Sequence, residues 1–420
     1  MRDTTGAGGT GPACDQDRST ILRGSSGQEG ARGRPASQQG MRQHNLALVM
    51  GTVAADGPVS RAAVAGRTGL TRAAVSSLVD ELLAGGLLTE LGPASNGRVG
   101  RPGSALAVSE RGPAGLGLEA GVGHLGACVT DLRGEVRVWT QVESANAALA
   151  PAEVLARLSA LADDATRQAA ELGLRPVAAV VAVPGLVGDV PGTVDHAPNL
   201  GWHDVPVASL WPGELPLRVE NEANLGALAE LWAHPVAADF VHVSAESGIG
   251  AALVVGGRLF SGARGLAGEL GHMPVHPEGS PCSCGARGCL EQYAGKAAVL
   301  RTAGVTGVGG DVIEALAARA GQGDARVLEA LEQAGTALGT ALAGAVNLLD
   351  PAAVVLGGAY AELGAWLLPS MRRELAARVT VRSWDPDALT VSQLGRRGPL
   401  LGAALATVRT ILEDPAALWS

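Results

Sequence analysis

Residues 269–291 gather the side chains best suited to chemistry. His272, Cys282, Cys284 and Cys289 stand in the spacing His-x9-Cys-x-Cys-x4-Cys, and three of the chain's five cysteines fall within eight residues. One imidazole and three thiolates make a closed tetrahedral donor set for structural zinc. Gly285 and Gly288 let the short loops between the sulfurs bend tightly. Carboxylates stand at both ends, Glu269 and Glu291. The metal does not need them, so they are available to bind something else. Two readings compete: buried thiols without metal, and a zinc ribbon on nucleic acid. The segment's only Lys or Arg is Arg287, which disfavours the ribbon.

The elements that must position this segment belong to a large chain. Its 420 residues exceed one ordinary core, so two or three domains are expected. Aromatics make up 3%, which argues against a base-stacking nucleic-acid surface. Clustered thiols in an otherwise cysteine-poor chain point to metal in a reducing cytoplasm, not to disulfides. No stretch approaches the roughly 20 apolar residues of a membrane span, and the N-terminus lacks an apolar signal core. The expectation is therefore a cytoplasmic protein with no membrane partner.

The net charge of −9 is unevenly spread. Residues 1–40 carry five Arg against four acids and residues 41–112 seven Arg against five, which leaves −12 on the remainder. The acidic body argues against DNA wrapping around it, so the small N-terminal part is the plausible nucleic-acid face.

Residues 1–40, rich in Gly, Ser, Gln and Arg, read as a disordered tail. Apolar residues then recur at helical spacing over 44–54. Ser60 is placed to cap a helix over 61–67, Gly69 to break it, and Thr71 to cap a second helix over 72–84. Strands are expected at 87–90 and 105–108, around a turn-rich segment carrying Arg98 and Arg101. Three helices and a β-hairpin make a winged helix-turn-helix over 41–110. An ordinary helical hairpin shares the Ala65, Gly69, Val75 spacing, but arginines on a flexible wing suit phosphates or the minor groove. Arg72, Ala73, Ser76 and Ser77 lie off the apolar face of the second helix and are the candidate base readers; Arg98 and Arg101 are candidate wing contacts.

From about residue 113 the pattern turns α/β. A glycine-rich strand from 119, a turn at 131–134 and a further strand form a hairpin, and 241–260 repeats the pattern. Each hairpin opens an α/β unit, which suggests a duplicated, two-lobed architecture. Helices at 152–172, 324–348 and 362–377, strands at 177–183, 353–356 and 388–393, and a closing helix from 400 complete the expectation.

The winged helix, the glycine-rich α/β body and the Glu-x-Gly-His…Cys-x-Cys-x4-Cys-Leu-Glu segment together resemble the transcriptional-regulator branch of the ROK family (repressors, open reading frames, sugar kinases). Residues 248–269 and Asp350-Pro-Ala-Ala-Val-Val-Leu-Gly-Gly358 are also similar to that family. The resemblance runs from about residue 41 to 412. It implies an actin-like (hexokinase-like, ribonuclease H-like) two-lobed α/β body: lobe I at 111–225 with a closing helix at 399–412, and lobe II at 226–398. It also implies a sugar between the lobes, held by Asn221, Glu222, Glu269, His272 and Glu291, with Asn199 a further candidate. His272 would bind zinc through one ring nitrogen and sugar through the other.

The family's kinases place Asp, as general base, where this chain has Glu222. Their first phosphate loop runs from Asp-x-Gly to Gly-Thr; this chain reads Glu119-Ala-Gly121-Val-Gly123-His124. An extra methylene displaces the carboxylate by roughly 1 Å, and phosphoryl transfer depends on positioning. With a DNA-binding unit attached, the expectation is a non-enzymatic repressor of carbohydrate-metabolism genes that binds operator DNA as a homodimer or homotetramer and is released by a monosaccharide or sugar derivative. The alternatives are an active sugar kinase fused to a DNA-binding module and a repressor without a ligand.

Overall fold

The computed structural model describes residues 38–93, 104–188, 190–233, 237–246, 248–306 and 311–419. The expected tail therefore lies, up to residue 37, outside the described residues, and so do Arg98 and Arg101. The first helix starts at Gln38, inside the stretch read as tail.

The N-terminal unit contains α1 (Gln38–Asp56), β1 (Val59–Ser60), α2 (Arg61–Thr68), α3 (Arg72–Ala84), β2 (Leu88–Pro93) and β3 (Ser104–Val108), with sheet order β1-β3-β2. The helix ends follow the sequence signals. Ser60 Oγ accepts from the Ala63 amide and Thr71 Oγ1 from the Ala74 amide, while Gly69 closes α2 at φ 72°, a conformation cheap only for glycine. Val75, Leu78, Val79 and Leu82 bury one face of α3.

The body follows. Its first half holds β4 (Gly112–Ala120), β5 (His124–Thr130), β6 (Val136–Glu143), α4 (Pro151–Glu171), β7 (Leu174–Val183), β8 (Val194–Ala197), β9 (Trp202–Val205), α5 (Val207–Leu210), β10 (Leu217–Asn221) and α6 (Glu222–Ala233). Its second half holds β11 (Phe240–Ala245), β12 (Ile249–Val255), β13 (Arg258–Leu259), α7 (Glu291–Ala294), α8 (Lys296–Ala303), α9 (Val312–Gly321), α10 (Ala325–Leu349), β14 (Ala353–Gly358), α11 (Gly364–Arg378) and β15 (Leu389–Val391). The closing helix is α12 (Gly398–Glu413).

The two main sheets have the same topology, β6-β5-β4-β7-β10 and β13-β12-β11-β14-β15. In each, three antiparallel strands are followed by two parallel ones. This is the duplication that the two glycine-rich hairpins announce. One reading is corrected. The stretch after residue 119 is not a single strand: β4 ends at Ala120, and β5 restarts at His124. Buried Asn146 holds the intervening turn, its Nδ2 donating to the carbonyls of Gly121 (2.6 Å) and His124 (2.9 Å).

Glycines in β4 have a packing reason. A Cβ at Gly115 would lie 2.3 Å from the Ala404 carbonyl, and one at Gly117 2.5 Å from the Leu400 carbonyl, so α12 rests backbone to backbone on the strand. The core of the winged unit is shared with the body. Leu132, Val177, Val408 and Ile411 join Leu46, Met50, Val79, Leu87 and Leu106 in one buried cluster. Each fully buried Leu or Val is worth about 1.5–3 kcal/mol, so this junction anchors the unit firmly.

Candidate functional site

In the segment 272–289, the His272 Nδ1 lies 3.8 Å from Cys282 Sγ, and the Sγ atoms of Cys284 and Cys289 are 3.6 Å apart. All four donor atoms lie within 4.8 Å of one another. A tetrahedron with metal–sulfur bonds of about 2.3 Å has edges of about 3.8 Å, so the donors fit zinc. Paired main-chain bonds shape the loop: the Val275 amide donates to the Gly288 carbonyl, the Cys282 amide to Ala286, and the Leu290 amide to Met273. Gln292 Nε2 donates to Cys282 Sγ at 3.7 Å.

With Nδ1 turned to the thiols, His272 Nε2 faces Glu269, 3.9 Å from its Oε2. Burial raises the Glu269 carboxyl above its ordinary pKa; nearby His272 opposes this and Glu291 adds to it. Glu291 opens α7, and its Oε2 accepts from the Ile249 amide at 3.1 Å. A Cβ at Gly248 would come within 2.5 Å of that oxygen and 3.7 Å of Asn199 Nδ2. Gly248 is thus the position at which Asn199, from the first half, meets Glu291, from the second.

Asn221 ends β10 and caps α6. Its Oδ1 accepts from the amides of Ala223 (2.8 Å) and Asn224 (3.1 Å), and its Nδ2 donates to the Gly185 carbonyl (2.8 Å). One N–H of the amide is left for a ligand. Glu222 follows as the first residue of α6.

The electrostatics of this corner are unusual. Burial, then the negative charges of Glu119 and Glu246, push Glu222 up to about 8, with His124 and Lys296 opposing. His124 Nε2 lies 3.2 Å from Glu119 Oε1. Burial works against the imidazolium, but the bond to Glu119 and the fields of Glu246 and Glu222 outweigh it and raise the His124 pKa. Burial raises Glu246 too; Arg396, Lys296 and His124 moderate the shift. Lys296, Arg396 and Asn146 come from distant elements, and no spacing in the sequence marks them as neighbours of this site.

The raised Glu222 predicts a pH dependence. The folded state holds this proton from the ordinary carboxyl range up to about 8, so the stabilisation is complete below about pH 4.5 and is lost as pH rises through about 8. Glu222→Gln should therefore stabilise the protein by about 1–2 kcal/mol at pH 8.5, allowing for water in the cleft, and by nothing at pH 4.5. Thermal melts at both pH values measure this; an equal gain at both would refute the assignment.

On α3, Arg72, Ala73 and Ser77 are exposed and Ser76 is half-buried. The acids of α3 are neutralised within the unit: Asp80 binds Arg61 at 2.8 Å, and Glu81 pairs with Arg42. Arg61 also pairs with Glu90. The face carrying Arg72 thus escapes much of the repulsion its helix would otherwise present to phosphates.

The ROK family model matches residues 115–409. The xylose repressor of Bacillus subtilis (strain 168) is 28% identical over 390 residues, covering 90% of this chain and 98% of that one. The crystal structure of a ROK family transcriptional regulator, a homologue of the Escherichia coli MLC protein, superposes with a TM-score of 0.75 at 25% identity, covering 90% of this chain and 98% of that one. A ROK family glucokinase from Streptomyces griseus, solved with glucose and AMPPNP, superposes with a TM-score of 0.60 at 28% identity, covering 69% of this chain and 98% of that one. The two-lobed body is therefore actin-like, and it is shared with regulators and kinases alike. The family match and the near full-length likeness to repressors agree with the metal segment and the duplicated sheets, and the chain belongs to the ROK family, in its transcriptional-regulator branch.

Proposed function

We propose that the protein is a sugar-responsive repressor, acting on operator DNA in the cytoplasm and released by a monosaccharide in the cleft. Asn199, Asn221, Glu222, Glu269, His272 and Glu291 are the sugar contacts in this reading. Carboxylates and amides in fixed positions suit the vicinal hydroxyls of a ring. Zinc held by His272, Cys282, Cys284 and Cys289 would supply rigidity: it fixes the His272 tautomer and the loop that presents Glu269 and Glu291.

The single observation that carries the non-catalytic reading is Glu222. A kinase of this family has Asp as base there; the longer Glu222 displaces the carboxylate, and burial, then Glu119 and Glu246, raise its pKa and so disfavour the ionised form. Glu119 and His124, paired with each other, occupy the loop that would cradle phosphate. The repressor likeness spans 90% of the chain, and the glucokinase likeness spans 69%. The domain boundaries expected from the sequence, at 110, 225 and 398, are part of the same proposal, as is a homodimer or homotetramer that sets the half-site spacing.

Gel shifts on the chain's own promoter region test the DNA-binding half. Affinity should fall steeply between about 50 and 200 mM salt. Arg72→Ala should weaken operator binding by about 1–3 kcal/mol, roughly five- to 150-fold. Unchanged binding by that variant would remove α3 as the reading helix.

A further inference from the structure

One strand of the body, β5, runs from the turn at His124 to the turn that contacts the winged unit. We propose that β5 is the strut that carries effector occupancy from the cleft to the winged unit, with Leu132 and Arg133 as its positioning residues. The inference rests on the sugar-responsive reading above.

At the cleft end, the strand begins at His124. Its ring packs over Gly121, where a Cβ would lie 2.3 Å from His124 Cε1. The turn is held from behind by Asn146 Nδ2, on the Gly121 and His124 carbonyls, and by the Ser144 amide on the Gly123 carbonyl. From the front, His124 binds Glu119 and lies in the fields of Glu246 and Glu222. Glu246 belongs to the second half of the body. In this proposal, closure of that half on a ligand changes the charge that His124 faces and so bears on the turn.

Between its ends the strand is hydrogen-bonded on both flanks. Glu119↔Gly126 to Gly115↔Thr130 register it on β4, and His124↔Glu143 to Thr130↔Val136 register it on β6. Held on both sides, the strand cannot slip alone, so a displacement at its cleft end is carried by the strand together with its sheet neighbours. From His124 to Thr130 the strand spans about 20 Å at roughly 3.3 Å per residue.

At the far end, buried Asp131 fixes the turn. Its Oδ1 accepts from the amides of Arg133 (2.9 Å) and Glu135 (3.1 Å), and its Oδ2 accepts from Arg137 at 2.9 Å. The fixed turn then grips the winged unit at two points. Leu132, 2% exposed, enters its core with Leu87, Leu106 and Val108. Arg133 Nε donates to the Val108 carbonyl at 2.9 Å, and the guanidinium pairs with Glu110, where the chain leaves the unit. A shift of the turn must therefore move β3. Val408 and Ile411 of α12 give the unit a separate anchor, so weakening the strut leaves it attached.

The test uses the full chain, an operator fragment, and D-xylose or D-glucose, whichever gives the larger thermal shift. For the wild type, saturating sugar should weaken operator affinity at least tenfold. Arg133→Ala should bind operator within threefold of wild type without sugar and show the same sugar-induced thermal shift, yet lose less than threefold of its operator affinity when sugar is added. Arg157→Ala, which breaks an exposed ion pair with Glu153 on α4, should keep the full response. An Arg133→Ala protein with the wild-type response overturns the strut, as does one that no longer binds sugar or operator. A wild type that binds sugar without any change in operator affinity defeats the sugar-responsive reading itself, and the strut falls with it.

Discussion

Replacing Cys289 with serine is expected to release the metal and abolish sugar binding together. Cys289 is fully buried, and its thiolate would be one of four donors in a loop held by a few main-chain bonds. In zinc-finger peptides a structural zinc is worth about 10–16 kcal/mol of folding free energy. Even a third of that should lower the melting temperature by roughly 10 °C. The loop also orients His272 and lies between Glu269 and Glu291, so its loosening should cost sugar affinity at least a hundredfold. Metal analysis, a thermal melt and a sugar titration on the same preparation check all three. A Cys289→Ser protein that is metal-free, folded and still sugar-responsive would contradict the scaffold role.

The second large effect concerns Glu291. Glu291→Gln keeps an oxygen to accept from the Ile249 amide, so the start of α7 and its contact with Gly248 should survive. What is lost is the charge. A hydrogen bond to a charged group contributes about 1.5–3 kcal/mol, so sugar affinity should fall by roughly 10- to 150-fold while the unliganded melting temperature moves little. Isothermal titration measures the first and a melt without sugar the second. Wild-type affinity in the variant would place the sugar elsewhere in the cleft.

Much of this was legible in the sequence because it is local. Ser60, Thr71 and Gly69 act within one helical turn, so the ends of α2 and α3 follow from residue type alone. The four metal donors lie within 18 residues, and their spacing carries their chemistry. The two hairpins foretell two sheets, because each hairpin brings its own glycines and turn.

What was not legible is long-range. The run after residue 119 reads as one strand, since nothing beside it announces that Asn146 will hold a turn there. Glu222 is visible as a departure from a family pattern. Its raised pKa, however, depends on burial and then on Glu119 and Glu246, which three-dimensional folding brings near it. Leu132 reads as an ordinary turn residue, and only the docked winged unit shows it as core. Asn221 reads as a sugar ligand, whereas most of its polar capacity goes to capping α6 and holding Gly185.

The coupling of cleft to operator is tested most directly by measuring operator affinity at fixed salt while a panel of monosaccharides, beginning with D-xylose and D-glucose, is titrated against the zinc-loaded full chain. At least one sugar should weaken binding tenfold or more, at concentrations that also raise the melting temperature, and without ATP turnover. If every sugar leaves operator affinity unchanged, or if sugar-dependent ATP hydrolysis appears, the account of a non-catalytic sugar-responsive repressor is wrong.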